Sequence, residues 1–295
     1  MSHSGLNSGL ATQRKVEVRL SAAPRRRPVA LARRRELEVK LATLQKDYAE
    51  LHTALFEAAQ VYRRLCAPRL VRSGEFEIAS EIFAVRHLPG DFFTVEETSA
   101  GLIFALGDIE GKGLAAGMWG THLVGLVRTH TAAAPDPSAI VAGVNRDLCR
   151  LSPVVPLVTL FVGRLDSTTG KLDYSSAGHP PTMLLRSEGE LELLTEGGPI
   201  LGALPAADFT SGQVKLQPGD VLLAYSDGII ESLDKADQEF GHERLATHLR
   251  GACSSSAEGV LFSVLGAVQD FAATRTLVDD TSLVVVRHRT QQSGV

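Results

Sequence analysis

Apolar residues recur along residues 37–65 at spacings of four and three. Leu37, Leu41, Leu44, Tyr48, Leu51, Leu55, Ala58, Tyr62 and Leu65 form one seam. Such a seam lies along one side of a helix, and its a/d spacing over four heptads is that of a coiled coil. A homodimer through residues 37–65 is expected. The alternative is a single helix packed on its own domain. Both can hold if only the helix end docks. Pro68 closes the helix, because proline cannot donate to the next turn.

From about residue 70 the pattern turns mixed. Short apolar or alternating runs predict strands at 75–85, 102–108, 157–166, 171–176, 182–186, 213–216, 221–225 and 282–287. Helical periodicity covers 114–130, 137–151, 242–250 and 257–273. Strands come in runs, with hairpin-like segments such as Asp166–Gly170 and Arg186–Gly189 between them. Antiparallel sheets with packed helices follow, in an α+β fold rather than a doubly wound parallel one.

Four segments place an aspartate beside a predicted strand. They are Gly90-Asp91-Phe92-Phe93, Gly107-Asp108-Ile109-Glu110-Gly111-Lys112-Gly113, Ser226-Asp227-Gly228 and Asp279-Asp280-Thr281. Carboxylates at strand ends can converge although distant in sequence. A hard oxygen set without His or Cys suits Mg²⁺ or Mn²⁺ and not zinc. Taken singly, each Asp-Gly or Asp-Asp pair is equally a turn signal. The GKG segment is not a Walker A loop, since Leu106 and Gly113 stand where that loop needs Gly and Ser or Thr.

Composition narrows the classes. The chain has 295 residues, 44% hydrophobic and 22% charged, enough for one large domain and an extension. No apolar run is long enough to span a membrane, and the N-terminus lacks a secretory apolar region. Three scattered cysteines, Cys66, Cys149 and Cys253, fit a reducing cytoplasm and neither a disulfide framework nor a zinc site. Residues 1–35 carry nine basic groups against Glu17, so a chain of net charge −4 is −12 in the remainder. An acidic body is unlike a nucleic-acid binder. The expected layout is a disordered basic tail over 1–30, a helical linker over 31–68, a catalytic domain over 69–290 and a short tail over 291–295.

Six segments in register resemble the metal-dependent protein phosphatases, the protein phosphatase 2C-like family, in their bacterial SpoIIE-type branch. They are GDFF at 90–93, GDIEGKGLAA at 107–116, SAGHPP at 176–181, GGPILG at 197–202, PGDVLLAYSDGIIES at 218–232 and DDTS at 279–282. The resemblance implies an α-β-β-α sandwich of two antiparallel sheets flanked by helices, with the long helix preceding it. It implies a serine/threonine phosphatase that uses two divalent cations, Mn²⁺ or Mg²⁺, to direct water at phosphorus without a covalent phosphoenzyme. Asp108 would bridge both ions, with the Ile109 carbonyl as a further ligand. Asp227 and Asp279 would complete the shell of the second ion, and Asp91 would bind an ion or hold its water. The implied substrate is a phosphorylated signalling protein such as an anti-sigma-factor antagonist in partner switching, with an upstream regulatory protein acting through the helical arm.

The chain departs from that pattern at Pro89, where the branch usually has Gly, and at Thr94, where it often has a second Asp. These departures motivate the alternative of a non-catalytic, phosphatase-like binding scaffold. A phosphatase for small molecules or a signalling nucleotide is the third reading. Lys112 is read equally as a phosphate contact or a solvated turn residue, and Arg86 as a strand arginine or a phosphate clamp. His179 is read as a structural turn histidine, hydrogen-bonded to backbone. His122 and His130 are read as packing or surface residues without a carboxylate partner. Trp119 is read as core, and Glu231 as a loop-orienting or capping residue.

Overall fold

The computed structural model describes residues 26–66, 70–151, 155–273, 275, 277 and 279–290. The chain divides into two compact units, residues 1–51 and 52–295. Pro68, most of the expected basic tail and the last five residues lie outside the described residues.

A single long helix, α1 (Arg26–Cys66), opens the described chain. In the first unit Leu37, Leu41, Leu44, Tyr48 and Leu51 are all more than half exposed. In the second unit the seam turns inward at Leu55, Ala58 and Tyr62, while Leu65 stays exposed. Ala58 packs against a core cluster, and Tyr62 and Cys66 are buried in it.

The strands and helices follow in order: β1 (Leu70–Ser73), β2 (Phe76–Phe83), β3 (Phe92–Thr98), β4 (Gly101–Ile109), α2 (Leu114–Ala133), α3 (Pro137–Leu151), β5 (Val158–Leu165) and β6 (Lys171–Ala177). Then come β7 (Thr182–Leu185), β8 (Leu191–Leu194), β9 (Gly197–Gly198), β10 (Gly212–Lys215), β11 (Val221–Tyr225), α4 (Asp227–Ile230), α5 (Gly241–Ala252), α6 (Ala257–Ala272) and β12 (Thr281–His288). One sheet has the order β1-β2-β12-β11-β7-β8, and the other β10-β6-β5-β4-β3 with β9 added in parallel beside β6. All other pairings between these strands are antiparallel. The expected α+β sandwich is the observed fold.

Successive side chains on a strand point to opposite faces, and here both faces are apolar. On β4, Ile103 and Ala105 join the cluster under α2 and α3, while Phe104 and Leu106 face the gap between sheets. On β11, Val221, Leu223 and Tyr225 pack under α5 and α6, while Leu222 and Ala224 turn to the gap. On β12, Leu283 and Val285 face the helices and Val284 and Val286 the gap. Both faces of each sheet are covered, so alternation disappears from the sequence of these strands. Four layers result, helices–sheet–sheet–helices, with one core in each gap.

The sequence pattern does not predict β1, β3, β8 and β9. All but β3 are four residues or shorter, too short to show a period. β3 begins within the GDFF segment, whose Gly-Asp reads as a turn. Among the described residues no helix is long and apolar enough to cross a membrane.

Phe104 is fully buried between the sheets. Phe104→Ala should cost about 3–5 kcal/mol. The denaturant midpoint should fall while the dependence on denaturant stays unchanged.

Candidate metal centre

The chain topology gathers the aspartates at one edge. β3 and β4 are antiparallel with Phe92 opposite Gly107, so the start of β3 lies beside the end of β4. Asp91 precedes that start and Asp108 sits near that end. In the other sheet Tyr225 stands opposite Leu283. Asp227, the first residue of α4, and Asp279, just before β12, therefore leave from the same edge.

Two glycines let the segments meet. At Gly107 the Phe92 ring occupies the space that a Cβ would need, so any side chain there would run into it. At Gly90 a Cβ would lie 2.9 Å from both the Ile109 and the Gly111 carbonyl oxygens and 3.6 Å from Asp108 Oδ1. The Gly90 backbone therefore faces three oxygens of the neighbouring loop at close range.

Asp280 locks the sheets together. Its Oδ2 accepts from the Gly90 N–H at 2.7 Å and its Oδ1 from the Val85 N–H at 2.7 Å. Both oxygens thus clasp the segment leading into Asp91. The sequence pattern assigns Asp280 no role; only the Asp-Asp dipeptide hints that two jobs are divided there. Tyr62, from the end of α1, donates its buried hydroxyl to the Asp91 carbonyl at 2.7 Å.

The electrostatics record the crowding. Asp91 is almost fully buried, and among the described residues its Oδ2 has no hydrogen-bond partner. Burial raises its pKa well above the usual carboxylate range, and the Asp108 charge adds to this. Asp108 is pushed up to about 6 by burial and then by Asp227, with Asp279 and Asp280 adding. Asp227 is raised by burial and by Asp279. Lys112 Nζ lies 2.8 Å from Asp279 Oδ1.

A buried carboxylate oxygen without a donor, beside two backbone carbonyls and three further acids, is a site short of positive charge. Hard divalent cations match that donor set. The residues fit the expected ions. Among the described residues no three His, Cys, Asp or Glu side chains form a ready-made cage.

The other singled-out residues fall as follows. Thr94 is buried and donates to Glu96, which pairs with Arg128 of α2, so this position serves the helix–sheet contact. His179 is buried, held neutral by a pKa that burial pushes down to about 3, and its Nδ1 meets Thr159 Oγ1 at 2.9 Å. The hydroxyl replaces the backbone partner expected for it, and Thr159 stands opposite Asp108 in the strand pair. His130 has a carboxylate partner after all: Asp147 of α3 lies 2.8 Å from its Nε2. That partner comes from the next helix, which periodicity along α2 cannot show. His122 is exposed and meets Trp119 edge-on. Trp119 packs half-buried against the core, and Glu231 is the C-cap of α4.

Asp91 and Asp108 favour the protonated form when folded. A raised carboxyl contributes stability at low pH that is lost as pH rises from about 4 through the folded value. Chelator-treated protein should lose thermal stability between about pH 4 and 7, and Asp108→Asn should flatten part of that slope. Mn²⁺ should run the other way, stabilising more at about pH 7.5 than at about 5.5, because ligands must be deprotonated. Thermal unfolding at both pH values reads this.

The sequence profile of stage II sporulation protein E (SpoIIE) matches residues 98–289. Protein IcfG of Synechocystis is 37% identical over 100 residues, 34% of this chain and 16% of that protein's length. Phosphoserine phosphatase RsbU of Bacillus subtilis is 23% identical over 256 residues, 84% of this chain and 73% of its own. The SiaA-PP2C domain of Pseudomonas aeruginosa superposes with a TM-score of 0.71 at 16% identity, covering 81% of this chain and 98% of that one. Two more distant structures of the same fold carry ions. RsbX was solved with magnesium (TM-score 0.56, 15% identity, 74% and 98% covered), and the PstP catalytic domain with two manganese ions (TM-score 0.51, 20% identity, 73% and 99% covered). With its profile match, motif order and two-sheet architecture in agreement, the chain belongs to the SpoIIE family, a branch of the PP2C-like, PPM-type phosphatases.

Proposed function

We propose that the protein is a metal-dependent phosphatase that hydrolyses phosphoserine or phosphothreonine on a signalling protein. One observation carries this reading: Asp91, Asp108, Asp227 and Asp279 come from four separate segments of both sheets and share one electrostatic cluster. Similarity to a phosphoserine phosphatase over most of the chain supports the substrate class.

Asp108, which interacts with each of the other acids, would help hold both ions, with the Ile109 carbonyl as a further ligand. Asp227 and Asp279 would complete the shell of the second ion, and Asp91 would bind an ion or hold its water. Two Mn²⁺ or Mg²⁺ ions bound there would supply Lewis-acid polarisation of the phosphoryl oxygens and a more acidic water. The residues of the chain hold the geometry. Asp280 and Tyr62 fix the Asp91 loop, and the Phe92 ring over Gly107 sets the spacing between Asp91 and Asp108. In the overall reaction water adds to phosphorus, the P–O(serine) bond breaks and the serine oxygen takes a proton. Arg86, whose side chain runs past Gly113 of the metal loop, is positioned to pair with a phosphate. A cavity of about 220 Å³ lined by Gly228, Leu233, Arg275 and Asp279 opens beside the centre and suits the residues flanking a phosphoserine.

The substrate of this reading is a phosphorylated anti-sigma-factor antagonist of partner switching, met in the cytoplasm. Regulation would enter through α1. Leu37, Leu41, Leu44, Tyr48 and Leu51 offer a second copy the exposed part of the seam, and Tyr62 carries the helix end to Asp91.

Phosphate release from a phosphoserine protein in Mn²⁺ should require the metal. Asp108→Asn and Asp227→Asn should each lower turnover on the order of a hundredfold or more, since even residues that only orient ligands cost about 10–100-fold. Retained turnover in both folded variants would overturn the metal centre. A folded wild type inert across metals and phosphoproteins would favour the binding scaffold. Sedimentation of the full chain should give a dimer, and Leu44→Glu a monomer; a wild-type monomer would rule out the coiled-coil partner.

A further inference from the structure

Lys112 lies in the turn between Asp108 and α2, and its ammonium nitrogen is 2.8 Å from Asp279 Oδ1. Its side chain is only about a quarter exposed, less than that of its partner Asp279. Burial raises the pKa of both Asp227 and Asp280, and the charge of Lys112 offsets part of each rise. Lys112 is thus set among three acids, and two of them, Asp227 and Asp279, are the proposed ligands of the second ion.

A divalent ion bound to Asp279 would sit about 2.0–2.6 Å from its carboxylate oxygen. The ammonium already lies at hydrogen-bond distance from that oxygen. Two cations on one carboxylate would stand within a few ångströms of each other and repel. The lysine has a way out, since its ammonium rides on a flexible four-carbon stem and can swing from the acids toward solvent.

We propose that Lys112 is a built-in counter-cation of the centre, holding Asp279 and Asp227 in place without metal and competing with the second ion for them. The inference rests on the metal-centre reading above and adds a residue that sets how tightly, and in what order, the two ions bind. The lysine lowers the cost of bringing the acids together in the metal-free fold and weakens the ion that displaces it. A partly exposed ion pair contributes modestly, so the competition tunes affinity without closing the site.

The test is calorimetric titration of Mn²⁺ into chelator-stripped full-length wild type, Lys112→Met and Lys112→Arg, with thermal unfolding of each with and without metal. Lys112→Met should bind one Mn²⁺ about two- to fivefold more tightly, the scale of a partly exposed ion pair, while Lys112→Arg stays near wild type. Without metal at neutral pH, Lys112→Met should melt below wild type, and saturating Mn²⁺ should close the gap. Lys112→Gln repeats the test if the methionine variant does not fold. Equal or weaker Mn²⁺ binding by the folded neutral variants would overturn the competition while leaving the metal centre standing. If neither wild type nor variant binds Mn²⁺, the metal-centre reading falls and the competition with it.

Discussion

Like charge held at close range is the constraint on which the site depends. Antiparallel pairing brings the start of β3 to the end of β4 and the end of β11 to the start of β12. The hydrogen bond from the Gly90 N–H to Asp280 joins those two sheet edges, so the acids at the four strand ends share one end of the sandwich. Burial and mutual repulsion push Asp91 and Asp108 toward the protonated form. The core of the sandwich supplies the stabilisation that offsets this. Packed layers on both faces of both sheets hold the strand ends in register, and the acids cannot drift apart without breaking that packing.

The neighbours of the site follow from that constraint. Asp280 commits both oxygens to the backbone N–H groups of Val85 and Gly90, turning a potential fifth repelling charge into a clasp. Phe92 fills the space over Gly107 and couples Asp91 to Asp108 through packing. Tyr62 extends the connection to α1 through one buried hydrogen bond. The end of that helix is therefore part of the folded domain, while its exposed seam over 37–51 belongs to the other compact unit.

Much of the fold is legible in the sequence. All four predicted domain helices are present, α3 with the predicted bounds, because helices of this length show their period. The central strands are visible as apolar runs, since both of their faces are buried. Glycine stands next to Asp91, Asp108 and Asp227 and marks them as candidate ligands, because closely packed loops need a residue without a side chain there. The short strands β1, β8 and β9 stay hidden, as does β3, which follows directly on the Gly90-Asp91 turn.

Sequence alone determined which residue types stand at the strand ends, the order of the motifs and the heptad seam, because these are properties of local spacing. Only the tertiary structure decided what each residue meets. Asp280 was distinguished from Asp279 by the backbone N–H groups that converge on it, His130 gained Asp147 from a neighbouring helix, and Tyr62 left the seam for the Asp91 carbonyl. Lys112 became a cation among acids only once β4 and β12 delivered their ends to one edge. Those partners lie 17 to 195 residues apart, a separation at which no periodicity operates and only packing chooses the neighbour.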